Sequence, residues 1–287
     1  MARLINSFRT ILLFLLLLQL GGCGIISLGY NYSDVYLRYT INSYTAFSKE
    51  QKQEIHKDVD AYMQWHRKVM LPEYAAFLRD LQHKVESGAP LSADEVRAYR
   101  LRVRKLYVST LQPTVMPAAH LLHGLDQAQV DELAASLDKE NSKQRDKDLS
   151  GTAEEQLKSR TERTIEFIEN QTGSLSDGQL AQLREANARL PYASGIYQHL
   201  KEDNQKHLIG LLNDHASGED IANFLSLWLI LPEKFRTPEE QETLQAFEQG
   251  SDAFIAEVYA MLTERQRNKL LKNITKYAES FDSLSRE

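Results

Sequence analysis

The sequence predicts an all-α protein, a bundle of several kinked amphipathic helices, from three observations. Apolar residues recur at three- and four-residue spacing along most of the chain, and one helix-start signature is written repeatedly. No segment alternates β-branched and polar residues as a strand would.

The first element is a leader. Arg3 and Arg9 precede an apolar run from Ile11 to Leu18, and the run closes on Leu20-Gly21-Gly22-Cys23. A positive start, a short apolar core and a small-residue exit read as a secretory signal over residues 1–22. The run is too short and wrongly flanked for a membrane span. Its end resembles a bacterial lipobox, in which the cysteine thiol receives a diacylglyceryl group before cleavage. Cys23, the only cysteine, is therefore the expected lipidation site, followed by a short tether to residue 34. Lipidation would leave no thiol, which excludes disulfides, thiolate catalysis and cysteine-ligated zinc.

The helical domain is expected over 35–287. Tyr32, Tyr36 and Tyr39 fall at i, i+4, i+7 and admit two readings, an aromatic face resting on lipid headgroups or a helix packed on the bundle. Packing is preferred, because the stripe would otherwise expose much apolar surface with Val35. Ile55, Val59, Tyr62, Met63, His66 and Met70 make the next stripe, continued by Tyr74, Phe77, Leu78, Leu81 and Val85. Pro72 should kink that stripe or start a fresh helix, and Pro113, Pro117 and Pro191 should each bend or end one. Residues 138–163 are densely charged, with only Leu149 and Leu157 large and apolar. They suit a solvated helix or a mobile connector, and a soft domain boundary falls there. Ile221 to Leu231 carries no charge and is apolar on every side, as a central core helix would be. Leu270, Leu271, Ile274, Tyr277, Ala278 and Phe281 form the last stripe.

The helix starts share a pattern. Ser48, Ser92, Asp126, Ser176 and Thr263 each follow Phe or Leu and precede Gln or Glu by three residues. Thr237-Pro238-Glu239-Glu240 is a further copy. The cap oxygen takes a first-turn N–H, and the Gln or Glu reaches back to the cap's own N–H.

The chain has 34 Lys+Arg against 40 Asp+Glu, and loss of Arg3 and Arg9 takes the formal charge from −6 to −8. That sign disfavours nucleic acid and gives no attraction to anionic headgroups. Attachment to a membrane would rest on the acyl chains, at about 0.8 kcal/mol per buried methylene.

Few residues suggest chemistry. His120 and His123 stand at i, i+3, a metal-ligating spacing, but no acidic ligand is near and a helix-end role is preferred. His199, His207 and His215 drift around a helix. His66 and Glu73 lie two turns apart and can be drawn as an acid/base pair, with Pro72 between them favouring a structural contact. No phosphate loop, nucleophile elbow or zinc-protease sequence is present, and no cofactor or metal is expected.

Cys23, Leu28-Gly29-Tyr30-Asn31-Tyr32, Trp65-His66-Arg67 and Leu71-Pro72-Glu73-Tyr74-Ala75, in that order, resemble the bacterial lipoproteins grouped as domain of unknown function 6279. The likeness covers most of the mature chain and is clearest over 23–82. It implies an envelope lipoprotein of Gram-negative bacteria and supplies no catalytic residues. Gly24, in place of the Asp that retains lipoproteins at the inner membrane, implies the inner leaflet of the outer membrane. Leu262 to Gln266 is weakly similar to a motif of the Spy-type periplasmic chaperones. The expectation is a non-enzymatic protein that binds envelope partners or unfolded clients. The alternative is an enzyme or lipid carrier with a pocket near Trp65, His66 and Glu73. Tyr30, Tyr32, Trp65, His66, Glu73 and Tyr74 are the candidate functional residues.

Overall fold

A computed structural model describes residues 22–287, with side chains from Ile26 onward. Of the expected leader, 1–22, all but Gly22 lies outside the described residues, as does the side chain of Cys23. Every regular element among the described residues is helical.

Two short helices come first, α1 (Gly22–Asn31) and α2 (Ser33–Asn42). The segment expected to be a tether is thus helical, and it is also packed. Ile26 and Tyr30 are buried against Leu71, Tyr277 and Leu284, and Leu37 and Ile41 pack beside Phe47, Ile55 and Val59. Four apolar residues at helical spacing explain why this stretch docks on the body.

Helix α3 (Lys49–Trp65) runs into a π-helical turn, His66–Met70, and on into α4 (Leu71–Glu86). The two expectations for Pro72 merge here. Pro72 is the second residue of α4, and the Leu71 N–H reaches back five residues to the His66 carbonyl. A proline has no N–H for the carbonyl four residues earlier and clashes with it, so one extra residue in the turn relieves both faults without ending the helix.

Then follow α5 (Ala93–Leu111), a 3₁₀ turn at Gln112–Thr114, α6 (Val115–His123), α7 (Gln127–Asp148) and α8 (Ala153–Thr172). Pro113 ends α5. Pro117 does not bend α6, because it is that helix's third residue, where the backbone N–H has no intrahelical partner to lose. The charged stretch 138–163 is helical on both sides of a turn at Gly151, whose φ of 80° suits glycine. The chain continues through α9 (Asp177–Ala188), α10 (Ser194–Asn213), α11 (Gly218–Ile230), a 3₁₀ turn at Pro232–Phe235, α12 (Pro238–Met261) and α13 (Glu264–Arg286).

Helix α11 holds the largest core cluster. Ile221, Phe224, Leu225, Trp228 and Leu229 are buried among residues of α5, α6, α7 and α10. Its off-stripe Leu227, and Leu231 just past its end, are exposed. Across the α5–α12 seam, Arg100 donates to both carboxylate oxygens of Asp252, at 2.8 and 2.9 Å, and to Glu248 at 2.8 Å.

All six sequence-read caps form, each a complete capping box. A seventh box, Thr152 with Glu155, opens α8. The four boxes that end in Gln do something the Glu boxes do not: they meet in pairs. Gln51 and Gln129 exchange amide hydrogen bonds at 3.1 and 2.7 Å, and Gln179 and Gln266 exchange them at 2.8 and 3.1 Å. Each amide also donates to a carbonyl two residues before its partner's cap. Gln51 reaches Gly124 and Gln129 reaches Ala46; Gln179 reaches Met261 and Gln266 reaches Ser174. The same head-to-head junction of helix N-termini is therefore built twice, at α3–α7 and at α9–α13. Only an amide can do this, since it accepts at its own cap and donates to the neighbour, whereas a carboxylate only accepts.

Candidate functional site

The π-helical turn between α3 and α4 gathers most of the candidate residues. The π-helical turn places His66 between Tyr62 and Trp65 on one side and Tyr74 on the other, and α1 lays Tyr30 across it. The Tyr30 hydroxyl and His66 Nδ1 share a hydrogen bond of 2.9 Å, and their rings stack at 5.8 Å with 26° between planes. Tyr62 and Tyr74 meet the imidazole at 5.7 and 5.6 Å, and Trp65 presents an edge at 6.4 Å. Phe281 of α13 closes on Tyr74 at 6.0 Å.

The tyrosine hydroxyls of this cluster are bonded within the protein. The Tyr62 hydroxyl donates to the Thr110 carbonyl at 3.3 Å, and the Tyr74 hydroxyl meets the Thr110 hydroxyl. Arg67 lies over the Tyr30 ring at 5.0 Å. Its guanidinium donates to Asn31 at 2.7 Å, to the Leu284 carbonyl at 3.3 Å and to Glu287 at 2.9 Å. One arginine thus ties α1, the π-helical turn and the end of α13 together.

Burial sets the protonation states. It lowers the His66 imidazole to about 4, so the ring is neutral at neutral pH. Burial pushes the Tyr30 hydroxyl up to about 12 against the opposing effect of Arg67, and raises Tyr62 and Tyr74 as well. A perturbed histidine beside a π-helical turn is a pattern common at functional sites. Here the perturbation comes from packing, and the imidazole points at a tyrosine that holds its proton.

The structure does not unite all the expected residues. Glu73 is exposed and His66 bonds Tyr30, so the drawn acid/base pair is not formed. Tyr32 is 61% exposed and stands apart from the cluster. Tyr62, Thr110, Arg67 and Phe281 belong to it and were not singled out. Tyr62 had a visible signal, standing one helical turn before His66; Thr110 and Phe281 had none, being distant in sequence.

Two shallow depressions lie at this end of the molecule. One, of about 260 Å³, is lined by Tyr30, Asp34, Asp60, Met63 and Arg67 among others, and the second, about 450 Å³, by residues of the α13 terminus. Neither is lined by Trp65, His66 or Glu73. The pocket expected for an enzyme or carrier at those three residues is not among them.

Four other histidines turn to separate partners. His120 Nε2 meets Glu54 at 3.0 Å, and His123 Nδ1 meets the Ala216 carbonyl at 3.1 Å. His199 lies 3.2 Å from Asp203, and His207 packs on the Phe224 ring at 4.6 Å. No group of three or more His, Cys, Asp or Glu among the described residues is placed to hold a metal ion.

The preferred packing of the tyrosine stripe is corrected. Tyr32, Val35, Tyr36 and Tyr39 are 61%, 54%, 50% and 68% exposed. The opposite stripe of the same helices, Ile26, Tyr30, Leu37 and Ile41, takes the core contacts instead.

Neither a curated protein nor a solved structure matches the chain at a significant level, and the likeness to Spy-type chaperones finds no support. In Leu262 to Gln266 the leucine is buried, the Thr caps α13 and the Gln is spent on the α9–α13 junction. A family model does match, over residues 43–241, which takes in Trp65-His66-Arg67 and Leu71 to Ala75 but not Cys23 or Tyr30. That span is well over half of the chain, and the protein belongs to this family, the family of unknown function DUF6279.

Proposed function

We propose that the chain is a lipid-anchored protein of the Gram-negative envelope, attached through Cys23 to the inner leaflet of the outer membrane. It acts there by binding envelope proteins or unfolded clients, without turnover. The observation that carries this reading is the Tyr30–His66 joint. The most chemically suggestive groups of the molecule close on one another and fasten the helix that bears Cys23 to the body. Groups used in this way hold position, and Trp65, His66 and Glu73 line neither of the two depressions. The leader that ends in Leu20-Gly21-Gly22-Cys23 supports the anchor, and Gly24 supports the outer membrane. No helix among the described residues is long and apolar enough to cross a membrane, so on this reading acyl chains supply the attachment.

The test uses the lipidated protein in phospholipid vesicles with a chemically unfolded envelope client. Suppressed aggregation without nucleotide or metal, retained in folded His66→Ala protein, is the expected result. Product formed from envelope lipids or peptidoglycan fragments, lost in His66→Ala and unaccompanied by client binding, overturns the reading.

A further inference from the structure

We infer that the outward face of α1 and α2 lies flat on the bilayer surface, as a second contact beside the acyl anchor. This rests on the reading that Cys23 is lipidated. At 100° per residue, Leu28, Tyr32, Val35, Tyr36 and Tyr39 fall within an arc of about 100° on these helices. The Tyr32 N–H bonds the Leu28 carbonyl at 3.2 Å and the Tyr36 N–H bonds the Tyr32 carbonyl at 3.1 Å, so the helical path carries across the α1–α2 junction. Leu28 is 57% exposed, like the four residues that follow it on the stripe. Ile26, Tyr30, Leu37 and Ile41 occupy the opposite side and already dock the helices on the body. A helix held to a bundle needs one apolar face; these have two, and on the second Leu28, Tyr32, Val35 and Tyr39 are each more than half exposed.

What covers it follows from where it lies. The stripe begins five residues after Cys23, about 7.5 Å of helical rise, and runs about 16 Å further to Tyr39. Acyl chains on Cys23 would bring the bilayer to that end, and a stripe running along the helix side requires the axis to lie in the membrane plane. Its chemistry suits the headgroup layer, with three tyrosines whose rings can sit half wet beside Leu28 and Val35. Between Gly24 and Ser48 the only charged residues are Asp34 and Arg38, which pair at 3.2 Å. A chain carrying −8 elsewhere is repelled by anionic lipid, so a contact strip without net charge is the one able to approach it. A second copy of the chain fits less well. A strip about 16 Å by one helix diameter projects to about 180 Å², well short of the roughly 800 Å² per partner of a stable interface.

Lipidation of the only cysteine makes the test simple, because an introduced cysteine is then the sole thiol. Val35→Cys, Tyr39→Cys and, as a distant control, Met116→Cys are expressed as full chains, purified with their lipid, labelled with a nitroxide and reconstituted in phosphatidylethanolamine–phosphatidylglycerol vesicles. Met116 is 67% exposed, so its label reports water. Labels at 35 and 39 should collide several-fold more with oxygen and several-fold less with a water-soluble nickel chelate than the label at 116. Vesicle-bound protein whose labels at 35 and 39 match the control overturns the flat-lying face and leaves the anchor standing. Dipolar coupling between labels of neighbouring chains, in place of lipid contact, assigns the face to a second copy and also overturns it. Protein that fails to float with vesicles and takes label at Cys23 removes the anchor reading, and this inference with it.

Discussion

Replacing Gln266 with Glu separates two roles that the sequence runs together. As a capping residue, Glu is as good as Gln: its oxygen can still accept from the Thr263 N–H, now made at 2.9 Å, and from the Gln179 amide at 2.8 Å. As half of an amide pair, Glu fails, because Gln266 Nε2 also donates to the Ser174 carbonyl at 2.9 Å and to Gln179 Oε1 at 3.1 Å. Gln266 is only 6% exposed, so water does not readily replace the lost donor. A buried carbonyl left without a donor costs about 1–3 kcal/mol, and a carboxylate facing two acceptor oxygens adds about 1 kcal/mol more. The expected loss is therefore about 2–4 kcal/mol, against almost nothing if capping were the whole role. Urea unfolding followed by far-ultraviolet circular dichroism reads it as a shift in midpoint at constant slope. The buried carboxyl would keep its proton more tightly in the folded chain than in the unfolded one, so the penalty should shrink as pH falls through the carboxylate range near ~4. Glu155→Gln, in a box without a partner, should leave the midpoint where it is. A Gln266→Glu protein as stable as the wild type at pH 7 would refute the paired junction.

Three further outcomes follow from the same contacts. Burial holds the His66 imidazole at about 4 against 6.5 for a free one, so its contribution is complete above pH 6.5 and lost as pH falls toward 4. At about 1.4 kcal/mol per unit this amounts to roughly 3 kcal/mol across the window, and His66→Phe should flatten that part of the stability profile; an unchanged profile refutes it. Thr263→Ala should cost about 1 kcal/mol in the same unfolding assay and leave client binding intact well below the melting transition, whereas unchanged stability with lost binding would make the segment a recognition site. Asp252→Ala should cost about 2–3 kcal/mol, less than the ~3–5 usual for breaking a buried pair, because Glu248 still faces Arg100; a neutral result would mean the seam is not coupled through these charges.

The fold was legible where the information is local. Caps, staples and stripes are written within a few residues of where they act, so six capping boxes could be read directly. The Thr152 box lacks the apolar residue that precedes five of the six other caps, because Gly151 stands there. The choice of Gln at four boxes and Glu at the others was equally visible. Its meaning needs helix starts 78 or 87 residues apart to meet, which no local pattern encodes. Periodicity likewise placed Tyr32, Tyr36 and Tyr39 on one face but could not decide which of two apolar stripes faces the body. At the candidate site, Trp65, His66 and Tyr74 were marked from one neighbourhood of sequence. Tyr30 was marked too, yet its bond to His66 spans 36 residues and appears only once α1 is docked.

That the mature chain begins at a lipidated Cys23 is tested most directly by the intact mass of the protein extracted from native membranes. The expected mass lacks residues 1–22 and carries a diacylglyceryl group on the cysteine, and in Cys23→Ser the protein is either an unprocessed precursor or released from the membrane fraction. A membrane-extracted chain that retains its first 22 residues without lipid, or a Cys23→Ser protein of normal mature mass that still behaves as lipidated, would contradict it.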